Sequence, residues 1–405
     1  MKFAIGDTAD RGPDAAPGRP PASASDSSGT NRPVWEDGQW RPLPALTEDA
    51  TADVCVVGLG AAGLACVNSM LARGLSVIGV DAADVGAGAA GRNGGFLLAG
   101  LAAFYHDAVA AHGRGFTDEF YRRTMAELDG IFKEMPDVAR RTGSLRISTS
   151  GEEQEDCERQ LEAMQLAGLP VEPYEGPEGR GLLIPTDGVF DPLARCRVLA
   201  RRALDSGARL YSGTPAREVR TGSVMTPGAR ISCGTVVVAV DGGLERLLPE
   251  LEGEVRTARL QMLATAPVRQ RMSDRAVYLR YGYDYWQQLP DGRIALGGFR
   301  DRADDAEWTY DPRPGGVVQQ ELERYLREEM KVAAPITHRW AALVSFTRSG
   351  LPINEEVRAG VHALGGYCGT GNVIGPMLGR AILSPVIPRE ASGSAHPASR
   401  PATTP

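Results

Sequence analysis

The sequence predicts an α/β fold in which one parallel-sheet domain is discontinuous and an α+β domain built on an antiparallel sheet is threaded through it. Three observations carry this. The run Asp53-Val54-Cys55-Val56-Val57 is almost continuously apolar, as a strand buried on both faces must be, and it opens a strand–helix–strand pattern. Signals of the same kind return only much later, at 195–211, 235–240 and 361–384. The stretches between them are helical at 116–142 and 152–168, or alternate in strand fashion at 276–298 around the turn Pro290-Asp291-Gly292.

Taken in order, the first strand runs into a helix at 61–73 that Gly74 ends, and 75–80 forms a second strand, closing a βαβ unit of about thirty residues. An amphipathic helix at 195–206 ends at Gly207 and a strand resumes at 208–211. Thr235–Val240 (TVVVAV) is another buried strand, and 361–364 a late one, followed by a Gly-rich turn and a short helix stopped by Pro385. The predicted division is 34–101, 187–250 and 336–388 for the discontinuous domain, with 102–186 and 251–335 forming the inserted one. The segments 1–33 and 389–405 carry little apolar content and many breakers, so they are expected to be a disordered leader and tail.

Composition narrows the function. The 405 residues carry 44 Lys+Arg against 51 Asp+Glu, a net charge of -7, which disfavours electrostatic capture of nucleic acid or anionic membrane. No apolar run approaches the length of a membrane span, and no signal-peptide pattern is visible. The six cysteines stand singly, with no CxxC pair, so neither structural zinc nor a disulfide framework is expected and the compartment reads as cytoplasmic.

Gly58-Leu59-Gly60-Ala61-Ala62-Gly63 is a GxGxxG turn between the first strand and its helix. Glycines there permit a tight turn and close approach of backbone to a pyrophosphate, which the helix N-terminus favours electrostatically. Asp81, 18 residues after Gly63 and followed by Ala82, ends the second strand where a carboxylate accepts from ribose hydroxyls. An acid at this place disfavours NADP, and the motif alone leaves NAD and FAD open. The following stretch, 86–95 (GAGAAGRNGG), is a second Gly-rich loop suited to wrapping backbone N–H groups around a large planar cofactor, which favours FAD.

From about Trp35 to Leu383 the chain resembles the FAD-dependent amine and D-amino-acid oxidoreductases, the group that includes glycine oxidase, sarcosine oxidase and γ-glutamylputrescine oxidase. The resemblance rests on a Pro-rich lead-in at 41–46, the GxGxxG turn, Arg92-Asn93-Gly94-Gly95, the segment 207–219, the hairpin 290–298 and the closing Gly365-Gly366-Tyr367-Cys368-Gly369-Thr370-Gly371. It implies a Rossmann-like FAD-binding domain and FAD held by Gly58, Gly60, Ala61, Ala62, Gly63, Asp81, Ala82, Ala90, Gly91, Arg92, Asn93, Gly94, Gly95, Val219, Gly366, Gly369, Thr370, Gly371 and Asn372. Three departures stand out: Asp81 where Glu is common, Ala90 where Ser is common, and Asp241 where Asn is common. Relatives with a cysteinyl flavin link carry it elsewhere, so Cys368 reads as a small neutral residue and FAD as non-covalent.

The reaction implied is oxidation of a C–N bond in a small amine or modified amino acid by hydride transfer to flavin N5, giving an imine, with oxygen or another electron acceptor reoxidising the cofactor. No paired acid and base are required, because desolvation lowers the pKa of the substrate ammonium. The aromatic stripe 278–287 is the expected substrate wall, with Tyr281, Tyr283, Tyr285 and Gln287 on one face if the period of two holds throughout. By the resemblance, Tyr285 and Gln287 face the flavin; several relatives carry near the place of Gln287 an Arg that anchors a substrate carboxylate, and a Gln at that place disfavours a simple amino-acid carboxylate. His338, beside Trp340, is the third candidate catalytic residue. No metal site is expected. Flavin-dependent oxidation of a hydroxy acid or a C–C bond, and a non-catalytic flavoprotein subunit, are the alternative readings. A flavin monooxygenase is disfavoured, since the only Gly-Asp pair is Gly6-Asp7.

Overall fold

A computed structural model describes residues 31–36 and 38–382. The expected tail, 389–405, and residues 1–30 of the expected leader lie outside these. Residues 31–33 correct the leader's boundary. The Asn31 N–H donates to the Arg339 carbonyl at 2.7 Å and its side-chain oxygen accepts from the Ala341 N–H at 3.1 Å, so this end is bound to the fold.

The first sheet has the order Glu218–Arg220, Ser223–Met225, Arg230–Val238, Ala50–Val57, Val77–Val80, Arg209–Tyr211, with Val361–Gly365 added parallel to Arg230–Val238 and Ile353–Arg358 beyond it. The apolar continuity of its central strand follows from two cores. Val54 and Val56 pack with Leu64, Val67 and Met70 of the helix Ala61–Ala72, while Cys55 and Val57 face Ile231, Val236 and Val361. The helix Gly371–Ala381 packs beside Ala61–Ala72; at Gly379 a Cβ would fall 2.3 Å from the Ala62 carbonyl oxygen, so only glycine allows that approach.

The second sheet has the order Ile336–Thr347, Val255–Thr265, Ile294–Gly297, Asp284–Gln288, Ala276–Leu279, Ser144–Ile147, Gly179–Ile184, Glu172–Gly176. All its pairings are antiparallel except Ala276–Leu279 with Ser144–Ile147. A third, small sheet joins Phe96–Leu97, Gly188–Phe190 and Ala139–Arg141.

Three expectations change. Ile336–Thr347, assigned from sequence to the nucleotide-binding domain, belongs to the antiparallel sheet: it satisfies the backbone of Val255–Thr265 from Val255↔Thr347 to Ala264↔His338. The long helix ends at Glu134 instead of 142, because Pro136 disfavours helical geometry at Met135 (φ -136, ψ 53), and Ala139–Arg141 forms a strand. The stripe 278–287 is a hairpin, broken at Arg280–Gly282, where φ is 48, 60 and 85 at successive residues. Tyr281 and Tyr283 therefore lie at the turn instead of on the strand face shared by Tyr285 and Gln287.

Candidate active site

A cavity of about 580 Å³ lies between the two large sheets. At one end is the turn after the first strand. Gly58, at φ 106, cannot carry a side chain without bringing Cβ within 2.7 Å of the Ala239 carbonyl oxygen, and a Cβ at Gly63 would sit 1.9 Å from the Gly58 oxygen. The turn is thus compact, and Gly60, Ala61 and Ala62 line the cavity with no side chain capping the helix. The free N–H groups and the positive end of the helix dipole face this space, as an anionic pyrophosphate requires.

Asp81 completes this end. Its Oδ2 accepts from the Leu59 N–H at 2.9 Å and its Oδ1 from the Ala83 N–H at 2.8 Å, which fixes the Gly turn against the second strand. Burial pushes its carboxyl above the ordinary value, while those two bonds pull it back. Each oxygen retains a lone pair for a hydroxyl donor.

The loop 92–95 is held from outside. The carbonyl of Arg92 accepts from Trp340 Nε1 at 2.8 Å, that of Asn93 from Trp35 Nε1 at 2.9 Å, and those of Gly94 and Gly95 from Gln287 Nε2 at 2.6 and 3.0 Å. A trans peptide points its N–H opposite to its C=O, so the N–H groups of Asn93 and Gly94 are turned toward the cavity. The Arg92 guanidinium, lowered to about 10 by burial, reaches the Ala341 carbonyl at 2.9 Å and the Asn31 carbonyl at 2.7 Å. Asn93 and Asn372 exchange side-chain hydrogen bonds at 2.9 and 3.1 Å, tying this loop to the start of the helix Gly371–Ala381. That helix N-terminus has no side-chain cap and opens on the same cavity through Gly369, Thr370, Gly371 and Asn372.

Asp241, at the end of the strand Arg230–Val238, links the closing motif to the antiparallel sheet. It accepts from the N–H groups of Gly366 at 2.9 Å, Tyr367 at 3.4 Å and Ser345 at 3.2 Å, and burial pushes its carboxyl up to about 7. The Cys368 thiol beside it is also raised by burial and donates to the Gly366 carbonyl, so it stays a protonated, neutral group.

The other end is aromatic. Tyr285 packs on Gly94, where a Cβ would lie 3.0 Å from its ring, and meets Phe96 edge-on at 5.9 Å. Tyr278 stands directly opposite Tyr285 in the hairpin, and Tyr121, Tyr281, Tyr283 and Phe346 continue the wall.

Of the residues expected at the site, the cavity brings together Gly58, Gly60, Ala61, Ala62, Asp81, Ala90, Arg92, Asn93, Gly94, Gly369, Thr370, Gly371, Asn372 and Tyr285. Gly63, Gly91, Gly95 and Gly366 shape the turns from behind instead of lining it, and Ala82 is exposed beside it. Three expectations fail. Gln287 is buried, does not line the cavity, and its amide grips the Gly94–Gly95 backbone, so it stands behind the loop instead of in the substrate wall. His338 lies on the strand Ile336–Thr347 with Nδ1 bonded to Thr337 Oγ1 at 2.8 Å, away from the cavity. Val219 pairs with Val224 in an outer hairpin and its carbonyl accepts from Arg358 at 2.7 Å. Sequence reasoning missed the linings contributed by Arg146, Tyr121, Asp187 and Arg300, which no local motif marks.

FAD fits these residues: a glycine cradle that a Cβ would fill, two uncapped helix N-termini, an acid with spare acceptor capacity and a loop with inward N–H groups meet in one cavity. Among the described residues no cluster suited to a metal ion exists and no helix is long and apolar enough to cross a membrane.

Comparison with known proteins agrees. The chain is 26% identical over 374 residues to the probable oxidoreductase OrdL of Rhizobium meliloti (strain 1021), covering 84% of each. It is 25% identical over 376 residues to the gamma-glutamylputrescine oxidoreductase of Escherichia coli (strain K12), covering 85% of each. Its fold is that of glycine oxidase from Geobacillus kaustophilus (TM-score 0.70, 18% identity, 82% of this chain and 94% of that one). It is also that of L-amino acid deaminase from Proteus myxofaciens (TM-score 0.66, 17% identity, 87% and 93%). The family profile described as DAO, FAD dependent oxidoreductase, matches residues 53–384, and the chain belongs to that family of FAD-dependent enzymes.

Proposed function

We propose that this enzyme oxidises the C–N bond of a small amine or modified amino acid. The observation that carries the reading is that Tyr278, Tyr281 and Tyr285 line the same cavity as residues 92–94, with Tyr285 packed on Gly94. Such a wall excludes water, lowers the pKa of a substrate ammonium and presents the neutral amine for oxidation. Bound non-covalently, FAD would supply a two-electron acceptor for the hydride on the carbon beside the nitrogen, and the substrate that has lost it is an imine that water hydrolyses. Gly60, Ala61, Ala62 and Asp81 hold its nucleotide half in this reading. Asn93, Gly94 and the start of the helix Gly371–Ala381 hold its ring half. The uncapped N-terminus of that helix stabilises negative charge developing nearby. The curated relative that acts on gamma-glutamylputrescine supports an amine as substrate. Oxygen or another small acceptor completes the cycle. A cytoplasmic setting is part of the same reading, with all six cysteines unpaired.

The test is anaerobic titration of the yellow holoprotein with a panel of amines and amino acids. Bleaching by one chemical class, with colour restored by air or by an added acceptor, is expected. If no amine bleaches it and a hydroxy acid does, the C–N assignment falls.

A further inference from the structure

We propose that Arg146 is a substrate anchor, its guanidinium together with the Tyr278 hydroxyl binding a carboxylate carried by the amine to be oxidised. The proposal deepens the amine-oxidation reading and takes its substrate class from it.

Arg146 stands on the strand Ser144–Ile147, is only 6% exposed and lines the cavity. Its guanidinium carbon lies 4.1 Å from the centre of the Phe104 ring and 4.8 Å from that of Tyr278, and its Nε donates to Tyr278 Oη at 3.2 Å. Its Nη1 is buried and has no hydrogen-bond partner. A buried cation with an orphaned N–H is costly unless a partner satisfies it.

The protein does not provide that partner. Asp187 is the carboxyl that feels the Arg146 charge, but its oxygens accept from Ser144 Oγ at 2.7 Å and the Ala99 N–H at 3.0 Å, and the two side chains form no ion pair. Burial pushes Asp187 up to about 7, so it neutralises Arg146 only in part near neutral pH. Arg146 is among the residues that line the cavity, while its Nη1 is buried without a partner.

The other cations of the cavity differ. Arg92 spends its Nε and Nη2 donors on the carbonyls of Ala341 and Asn31. Arg300 stacks on Trp308 and Phe346, both at 4.8 Å, but is only partly buried, so water can satisfy it. Arg146 alone of the three combines deep burial with an unpartnered donor.

The ligand chemistry follows from the donors. A planar guanidinium N–H and a phenol hydroxyl, whose own proton remains free while its oxygen accepts from Nε, suit one carboxylate. The position also fits substrate in preference to cofactor phosphate. Tyr278 is the cross-strand neighbour of Tyr285, which packs on Gly94, whereas the pyrophosphate cradle at Gly58–Gly63 is the other end of the cavity.

The test uses yellow holoprotein and a carboxylate probe that cannot be oxidised, benzoate, with benzamide as its neutral match. Binding is read from the flavin absorbance shift. Wild type is expected to bind benzoate and not benzamide. In Arg146→Gln the benzoate Kd should rise roughly 100-fold, and in Tyr278→Phe roughly 10-fold, in keeping with loss of a charge-assisted and a neutral hydrogen bond. In Arg300→Gln it should stay within about threefold, a surface-type effect. With a carboxylated amine as substrate, Arg146→Gln should raise KM far more than it lowers kcat, and an amine without a carboxylate should be insensitive to it. Unchanged benzoate affinity in a yellow Arg146→Gln protein overturns the proposal, as does loss confined to Arg300→Gln. Should Arg146→Gln fail to retain FAD, Tyr278→Phe decides, and an unchanged Kd there overturns it. If no amine bleaches wild type yet benzoate binding is lost in Arg146→Gln, the carboxylate anchor stands and the amine-oxidation reading is what fails.

Discussion

Gln287 and Gly94 are 193 residues apart in sequence, yet the Gln287 carboxamide donates to the Gly94 carbonyl at 2.6 Å and to its neighbour Gly95 at 3.0 Å. With Trp340 and Trp35 holding the carbonyls of Arg92 and Asn93, the loop under the proposed flavin ring is fixed by donors from outside the cavity. The site's rigidity therefore comes from the antiparallel sheet and the segment before the first strand as much as from the glycines themselves.

Gln287→Ala leaves two buried carbonyls without this donor and opens a small void. The expected result is a loss of about 1–3 kcal/mol in stability and weaker FAD retention, with little direct effect on the chemical step. Thermal unfolding and the flavin-to-protein absorbance ratio check it. A variant with full flavin content and normal stability, but altered turnover, would return Gln287 to the substrate wall.

Gly60→Val places a branched side chain at the mouth of the helix, where even a Cβ sits 3.1 Å from Ala90. The protein should purify colourless and should not be reconstituted by added FAD. A yellow variant would mean that the nucleotide lies elsewhere.

Tyr285→Phe keeps the ring that packs on Gly94 and Phe96 and removes only the hydroxyl, whose pKa burial raises. FAD content should be unchanged while turnover changes by about threefold to thirtyfold, the range of one lost polar contact of about 1–2 kcal/mol. Loss of flavin instead would assign Tyr285 to cofactor binding.

Asp241 gives a pH prediction. In the unfolded chain its carboxyl loses its proton near the ordinary value of about 4, whereas in the fold it keeps it to about 7. Between those values the native state binds more protons, so this group's contribution to stability is fully present below about pH 4 and is lost as pH rises through about 7. Asp241→Asn should flatten the decline in melting temperature between pH 5 and 8. Asp187, pushed the same way, leaves part of the slope in place. An identical slope in the variant would show that Asp241 is already ionised in the fold.

The βαβ unit, the GxGxxG turn and the acid at 81 were legible because each depends on short-range spacing. A tight turn needs glycine at fixed offsets, and a strand buried on both faces needs an apolar run. What depended on contacts between distant segments was not. The strand Ile336–Thr347 joined the antiparallel sheet because Val255–Thr265 needed a partner of its length. Gln287 turned from substrate to loop backbone because the hairpin breaks at Arg280–Gly282 and is pressed against residues 94 and 95. Arg146 is one arginine among many in the sequence. Only the tertiary structure buries it against two rings at the cavity wall with one donor unpartnered, since burial and hydrogen-bond satisfaction are properties of the packed chain, not of any local pattern.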